Sequence, residues 1–332
     1  MSLALLYGVA FCAAAFLAGN AKVSALALPP LFLVGILISF SRAALNTGDL
    51  PVYVEGFVDD EWSFYYVREA PFWYLGRVLT SVTGNVQSTF FIIDVAIVFL
   101  LARALGGKLN IQLVILLFAF PSILGFTNIY RQLVACVLMM LALNSFRSGH
   151  ARGVWLALLA STVHVALVGV SLSLLVAYLM LKGRRLWILV GLPLLGAFVL
   201  AFQPEIALLD IVGGTESRGD TGTLYVALGA LVHIVCAHLL WREQRLRTMH
   251  IGLLIYFVAG AVSLAFVPDS TGSRVMMISM YLSSFLAFAA ISEHRLKPGR
   301  VSIHTIILAV LLIAPLIISD SAWHLLFGYV ID

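Results

Sequence analysis

Apolar runs long enough to cross a lipid bilayer follow one another along almost the whole chain. They cover residues 2–19, 24–41, 86–105, 111–127, 131–147, 154–180, 185–203, 223–241, 250–268, 273–292 and 301–319, each bounded by charge, Gly or Pro. About 20 apolar residues span the hydrocarbon core, so these runs constrain the fold before any motif is read. Only 11% of the 332 residues are charged, 62% are hydrophobic, and mean hydropathy is +1.05. Soluble domains carry about 25% charged residues. Charges this sparse cannot solvate a water-facing surface, whereas lipid requires none. The expected fold is an all-α polytopic membrane protein, one transmembrane domain over 1–332, because no soluble domain interrupts the runs. The first run is expected to be a span and not a cleavable signal, since only Met1 and Ser2 precede it and a signal opens with positive charge.

The net charge of +4 does not point to nucleic acid, because the basic residues lie in short loops between apolar runs. There they report orientation. Lys22, Arg103, Lys108, Arg147, Arg152, Lys182, Arg184, Arg185, Arg242, Arg245, Arg247, Arg295, Lys297 and Arg300 fall in one loop set, which holds 14 of the 20 basic residues against only two acids, Glu243 and Glu293. The other set comprises 42–85, the 128–131 turn, 204–222, 269–274 and the C-terminus, with 13 of the 16 acids. The basic set is therefore read as cytoplasmic. Both termini and the two long loops, 42–85 and 204–222, then face outward.

One run does not fit a single crossing. Loops 147–152 and 182–185 are both basic, yet only 154–180 lies between them. It is expected to enter and leave on the cytoplasmic side as a re-entrant or broken-helix hairpin, with its break near Ser161, Thr162 and His164. Non-helical backbone at membrane depth survives only where protein or a watery cavity shelters it. The plainer alternative is one long tilted helix. With the hairpin, about ten helices cross the bilayer.

Ionisable groups inside spans are costly and tend to be functional. Arg131 opens a span after a short outward turn, where it can grip a phosphate bidentately or merely snorkel to the headgroups. Arg274 opens another span after Asp269, Ser270, Thr271, Gly272 and Ser273, with the same two readings plus an ion pair to Asp269. Together the two suggest a diphosphate clamp. His164 is a candidate base or phosphate ligand, set against the commoner fate of a satisfied core histidine. His233 and His238 are five apart, do not share a helix face, and read as structural. Asp94, in mid-span, reads as a lock to a neighbouring span or as a catalytic carboxylate. The 42–85 loop carries Asp49, Glu55, Asp59, Asp60, Glu61 and Glu69 among dense aromatics. Such aromatics belong at the interface, where they can stack on sugars or simply lie on the membrane as an amphipathic helix. The carboxylates can hold sugar hydroxyls or act as a base. Asp59-Asp60-Glu61 is a weak metal signal, more often a solvated face.

The three cysteines are widely spaced within apolar runs and form neither a disulfide framework nor a CxxC site. HExxH, GxSxG and P-loop motifs are absent, leaving zinc proteases, serine hydrolases of that type and ATPases without support.

The stretch from Asn128 to Gly169 resembles the EpsG-like family of bacterial membrane glycan polymerases, relatives in role of the Wzy O-antigen polymerases. Those proteins show an Asn-x-x-Arg-Gln turn opening an Ala- and Leu-rich helix, a basic loop, and an Ala-rich run ending in His. Here these positions are Asn128, Arg131, Gln132 and His164. Upstream, Asp49 and Tyr53 fit a family Asp followed by Tyr, and Glu69-Ala70-Pro71-Phe72 fits a Glu-Pro-aromatic stretch with one extra residue. Arg274 resembles an Arg that opens a late span.

The resemblance implies polymerisation of polyprenyl-diphosphate-linked oligosaccharide units on the periplasmic face of the bacterial inner membrane, into O-antigen, capsule or exopolysaccharide. It implies Arg131 and Arg274 on the diphosphate, His164 as base or diphosphate ligand with Asp49 or Glu69 as the alternative base, and Asn128, Gln132 and Tyr53 as further substrate contacts. No cofactor or metal is expected, because arginines can neutralise the leaving group. Expected partners are the lipid-linked oligosaccharide, membrane lipid and a chain-length regulator protein. A glycan ligase shares donor and leaving group with this reading. A transporter or flippase of lipid-linked sugars is a different class, for which a polar stripe should continue to the cytoplasmic side.

Overall fold

The computed structural model describes residues 3–19, 28–43, 50–59, 66–67, 69–107, 109–127, 129–181, 221–264, 269–293 and 302–318. All the regular structure in these residues is helical. The helices are α1 (Leu3–Gly19), α2 (Leu28–Ala43), α3 (Leu50–Val58), α4 (Ala70–Thr83), α5 (Val86–Ala104), α6 (Ile111–Phe118), α7 (Phe120–Thr127), α8 (Tyr130–Arg147), α9 (Arg152–Val163), α10 (Ala166–Leu181), α11 (Thr221–Leu240), α12 (Gln244–Ser263), α13 (Asp269–Glu293) and α14 (Ile303–Ile318). Among the described residues four helices are long and apolar enough to cross a membrane: α5, α11, α12 and α13. One buried apolar cluster runs from Ala10 in α1 to Leu312 in α14.

The stretch 42–85, read from the sequence as a loop, is helical over much of its described part. It holds α3 and α4, which cross closely: a Cβ at Gly56 would collide with the Trp73 ring, and one at Gly76 with Phe57. Gly84, at φ +67°, ends α4 in the left-handed conformation that glycine tolerates. Asn85 then caps α5, accepting the Gln87 N–H at 2.7 Å.

The run 111–127 is not one straight span. It divides at Ala119 into α6 and α7. Pro121 has no N–H to donate to the preceding turn. The Ser122 hydroxyl donates instead to Leu116 O at 2.5 Å, and Tyr281 of α13 shares it at O···O 2.5 Å. A break in apolar surroundings is tolerable when side chains satisfy the freed carbonyls in this way.

The run 154–180 divides at His164, whose φ −149° and ψ 121° are extended. Ser161 Oγ and Ser171 Oγ are 3.1 Å apart. In a continuous helix ten residues rise about 15 Å, so the chain reverses here. The Gly149 turn (φ +75°) sets α9 antiparallel to α8, and Arg245 Nη1 donates to Arg147 O at 3.1 Å at that end. α12 starts beside this turn and reaches the hairpin tip, where the Tyr256 hydroxyl donates to Ala166 O at 2.9 Å. Gly252, one turn back along α12, abuts Leu174. α10 therefore runs back alongside α12 toward the Arg147–Arg245 end. Both limbs start and finish on that side.

Buried polar groups tie helices together. Tyr130 OH donates to Asp94 Oδ1 at 2.7 Å, so the mid-span carboxyl of α5 has a partner on α8. His233 Nδ1 lies 3.1 Å from His250 Nε2, and His233 Nε2 lies 3.1 Å from Ser279 Oγ, linking α11, α12 and α13. His238 instead stacks on His304 of α14 at 5.5 Å. The two α11 histidines thus serve different helix contacts.

Candidate active site

Glu69 immediately precedes α4, with Pro71 in the first turn, where the absent proline N–H costs nothing. Its side chain does not cap its own helix. It turns inward, and the residue is fully buried. Arg131 reaches it from the first turn of α8, its Nη1 paired with Glu69 Oε2. His164 reaches it from the hairpin break, with Nδ1 2.6 Å from Glu69 Oε1. The Val165 N–H donates to the same oxygen at 3.2 Å. That N–H is available because α9 has ended and α10 has not begun, which is how a chain break supplies a donor that helix interiors lack.

Burial opposes charge on Glu69. His164, by charge and hydrogen bond, then Arg131 and the Val165 N–H, outweigh it and hold the carboxyl at about 2. An ionised Glu69 accepts from His164 Nδ1, so the ring proton sits there and Nε2 carries the lone pair when the ring is neutral. Nε2 has no hydrogen-bond partner among the described residues, and the His164 side chain is 19% exposed. Fixing Nδ1 on a carboxylate and leaving Nε2 open is the arrangement of a general base.

Aromatic rings hold the Arg131 guanidinium from the other side. Its central carbon lies 5.1 Å from the Trp73 ring and 5.7 Å from Tyr53, and those rings stack on each other at 5.7 Å. Tyr53 and Trp73 are buried. They surround the arginine and do not form an open platform for sugars, because Gly56 and Gly76 draw α3 and α4 together over them.

Of the residues singled out in the sequence, the fold brings together Glu69, Arg131, His164 and Tyr53. Gln132, next to Arg131, points elsewhere: it lines a small cavity with Pro121, Cys136 and Tyr281. Arg274 is exposed near the start of α13, and no hydrogen bond or ion pair joins it to the cluster among the described residues. Asp49 and Asn128 lie outside the described residues. The roles of Trp73 and the Val165 N–H were not anticipated. Trp73 follows Glu69 by four, the spacing that puts both on one helix face, and that signal was readable. The Val165 donor follows only from where the hairpin breaks.

An all-helical membrane protein with a buried Arg–Glu–His bridge at the tip of a reversed helix pair is the class these features define. The chain belongs to the EpsG family, whose model matches residues 28–329 and so takes in every residue of that bridge. Membership gives it a membrane polysaccharide-polymerase-like role. No curated protein and no solved structure matches the chain.

Proposed function

We propose that this protein is a glycosyltransferase of the bacterial inner membrane that joins polyprenyl-diphosphate-linked oligosaccharide units on the periplasmic side. The observation that carries the reading is the Glu69 carboxylate holding Arg131 and His164 Nδ1 at once. His164 Nε2 takes the proton of the acceptor hydroxyl, whose oxygen forms the new bond to the anomeric carbon of the donor. The bond from that carbon to the lipid diphosphate breaks, and the departing diphosphate keeps the electron pair. Arg131 stabilises the charge that develops there, its fork matched to phosphate oxygens. Glu69 keeps the base in the correct tautomer and the guanidinium in place, and the stacked Tyr53 and Trp73 rings hold its plane. Arg274 is the second cation of the clamp in this reading, with Asp49 and Asn128 at the outer mouth. In this reading about ten helices cross the bilayer besides the hairpin, the 147–152 and 242–247 loops are cytoplasmic, and the site faces the periplasm.

The test is glycan banding in cells that lack the gene, complemented at matched protein levels with wild type, Arg131→Lys, Glu69→Gln, His164→Ala or Arg274→Ala. Wild type restores a ladder of chain lengths, and the bridge variants leave single capped repeats. A ladder that survives every variant overturns the site. Long unattached chains accumulating without the gene make the protein a ligase instead.

A further inference from the structure

The loop containing α4 is read as lying on the watery side, yet the face of α4 turned away from the protein is apolar, with Arg77 and Ser81 confined to one flank. One side packs inward: Phe72, Trp73 and Gly76 are buried. At about 100° per residue, Pro71, Tyr74, Leu75, Val78 and Val82 share an opposite arc of about 100°. All five are exposed, Tyr74 at 63% and Val82 at 78%. Arg77 is the helix's one charged residue, and it lies on the flank, donating to Gly56 O at 3.0 Å with its guanidinium 4.9 Å from the Tyr66 ring. The outer stripe carries no charge at all. A contiguous apolar stripe of this kind marks a surface that something apolar covers.

The neighbouring helix says what covers it. α5, which is long and apolar enough to cross a membrane, starts two residues after α4 ends. Thr80 Oγ1 and Thr89 Oγ1 are 2.9 Å apart. Nine residues rise about 13.5 Å in a continuous helix, so the chain bends sharply at Gly84 and the last turn of α4 is fastened to the first turn of α5. The exposed stripe therefore begins where a span enters the bilayer. We infer that α4 is seated in the outer leaflet, with Pro71, Tyr74, Leu75, Val78 and Val82 in contact with lipid at the boundary between headgroups and acyl chains, the depth at which apolar faces of interfacial helices lie.

Glu69 is the residue on which α4 starts, so the leaflet sets the height of the Glu69–Arg131–His164 bridge. A ligand with an anionic head on a long hydrocarbon tail reaches that bridge sideways, without leaving the membrane. The seating of α4 holds whatever reaction the bridge performs.

The test is the depth of a spin label in full-length protein reconstituted into phosphatidylcholine–phosphatidylglycerol vesicles. Labels are placed at Val78→Cys and Val82→Cys in a Cys12→Ser background, because Cys12 is exposed while Cys136 and Cys236 are buried. Ile92→Cys on α5 is the lipid control and His150→Cys in the α8–α9 turn is the water control. Labels at 78 and 82 should collide with oxygen several-fold more readily than with a water-soluble nickel chelate, as at 92. A pattern like that at 150 overturns the inference. Protection from both reagents also overturns it, in favour of a protein cover. Because the readout needs no turnover, a lipid-like depth in a protein whose bridge variants keep the glycan ladder would sink the catalytic reading alone.

Discussion

Glu69 accepts from three donors, Arg131 at the start of α8 and His164 and the Val165 N–H at the hairpin break, and this convergence makes individual side chains testable. Arg131→Lys keeps the charge but cannot pair with Glu69 and lie along Trp73 in one plane. Its activity should fall by about 10²-fold or more, the loss typical of removing one preorganised donor, with protein abundance unchanged; glycan ladders against immunoblots measure both. Glu69→Ala is different, because it strands a guanidinium that is only 14% exposed. Breaking such a pair costs about 3–5 kcal/mol, so thermal stability in detergent should drop together with activity. The pH dependence has a definite sign. A carboxyl held at about 2, below the ordinary value of about 4.3, contributes stability that is complete above that ordinary value and is lost as pH falls toward 2. Wild-type melting temperature should therefore fall between pH 4.3 and 2 by more than that of Glu69→Gln. Parallel curves throughout would show that Glu69 is not held ionised by its partners.

At the level of helices, the reversal at His164 was legible in the sequence and the kink at Ala119 was not. Two basic loops flanking one apolar run demand an even number of passes, and the charges state that directly. Pro121 lies two residues into α7, where proline is common at the start of any helix, so its sequence position does not announce a break. The compensating Tyr281 hydroxyl comes from a helix 159 residues away from Ser122. The α3–α4 crossing was equally hidden, since Gly56 and Gly76 become informative only once their aromatic partners are known. Two experiments address these elements. A Ser161→Cys, Ser171→Cys pair should form a disulfide under mild oxidation, visible as a mass shift after peptide mapping, because the chain reverses between them. A continuous helix would keep them about 15 Å apart and unreactive. Gly76→Ala pushes a methyl into Phe57 and should cost about 1–3 kcal/mol, as overpacking does, with a lower melting temperature and a weakened ladder.

For the whole molecule, sequence reading recovered the helical membrane class, the family and the clustering of Arg131 with His164, because composition and short motifs encode them. It left Glu69 as one of several carboxylates, since only packing selects the acid that faces both cations. It paired Arg131 with Arg274 because both open outward spans, a likeness of position that says nothing of distance. What the fold adds is a directional axis. The Arg147 and Arg245 turns lie side by side at one end, and the Glu69 bridge lies at the tip of the hairpin, about 18 Å away along the 12 residues of α9. In the orientation proposed from charge the turns are cytoplasmic, and the bridge, at the other end of the hairpin, is proposed to face substrates presented from the periplasm. Single cysteines at His150 and Trp241, in the Cys12→Ser background, test that axis. A membrane-impermeant maleimide should label both in inside-out vesicles and neither in intact spheroplasts. Labelling of the two from opposite faces would contradict the contact between their turns, and with it the reversed hairpin. Labelling of both from outside would keep the fold but turn the bridge toward the cytoplasm, where a periplasmic polymerase could not use it.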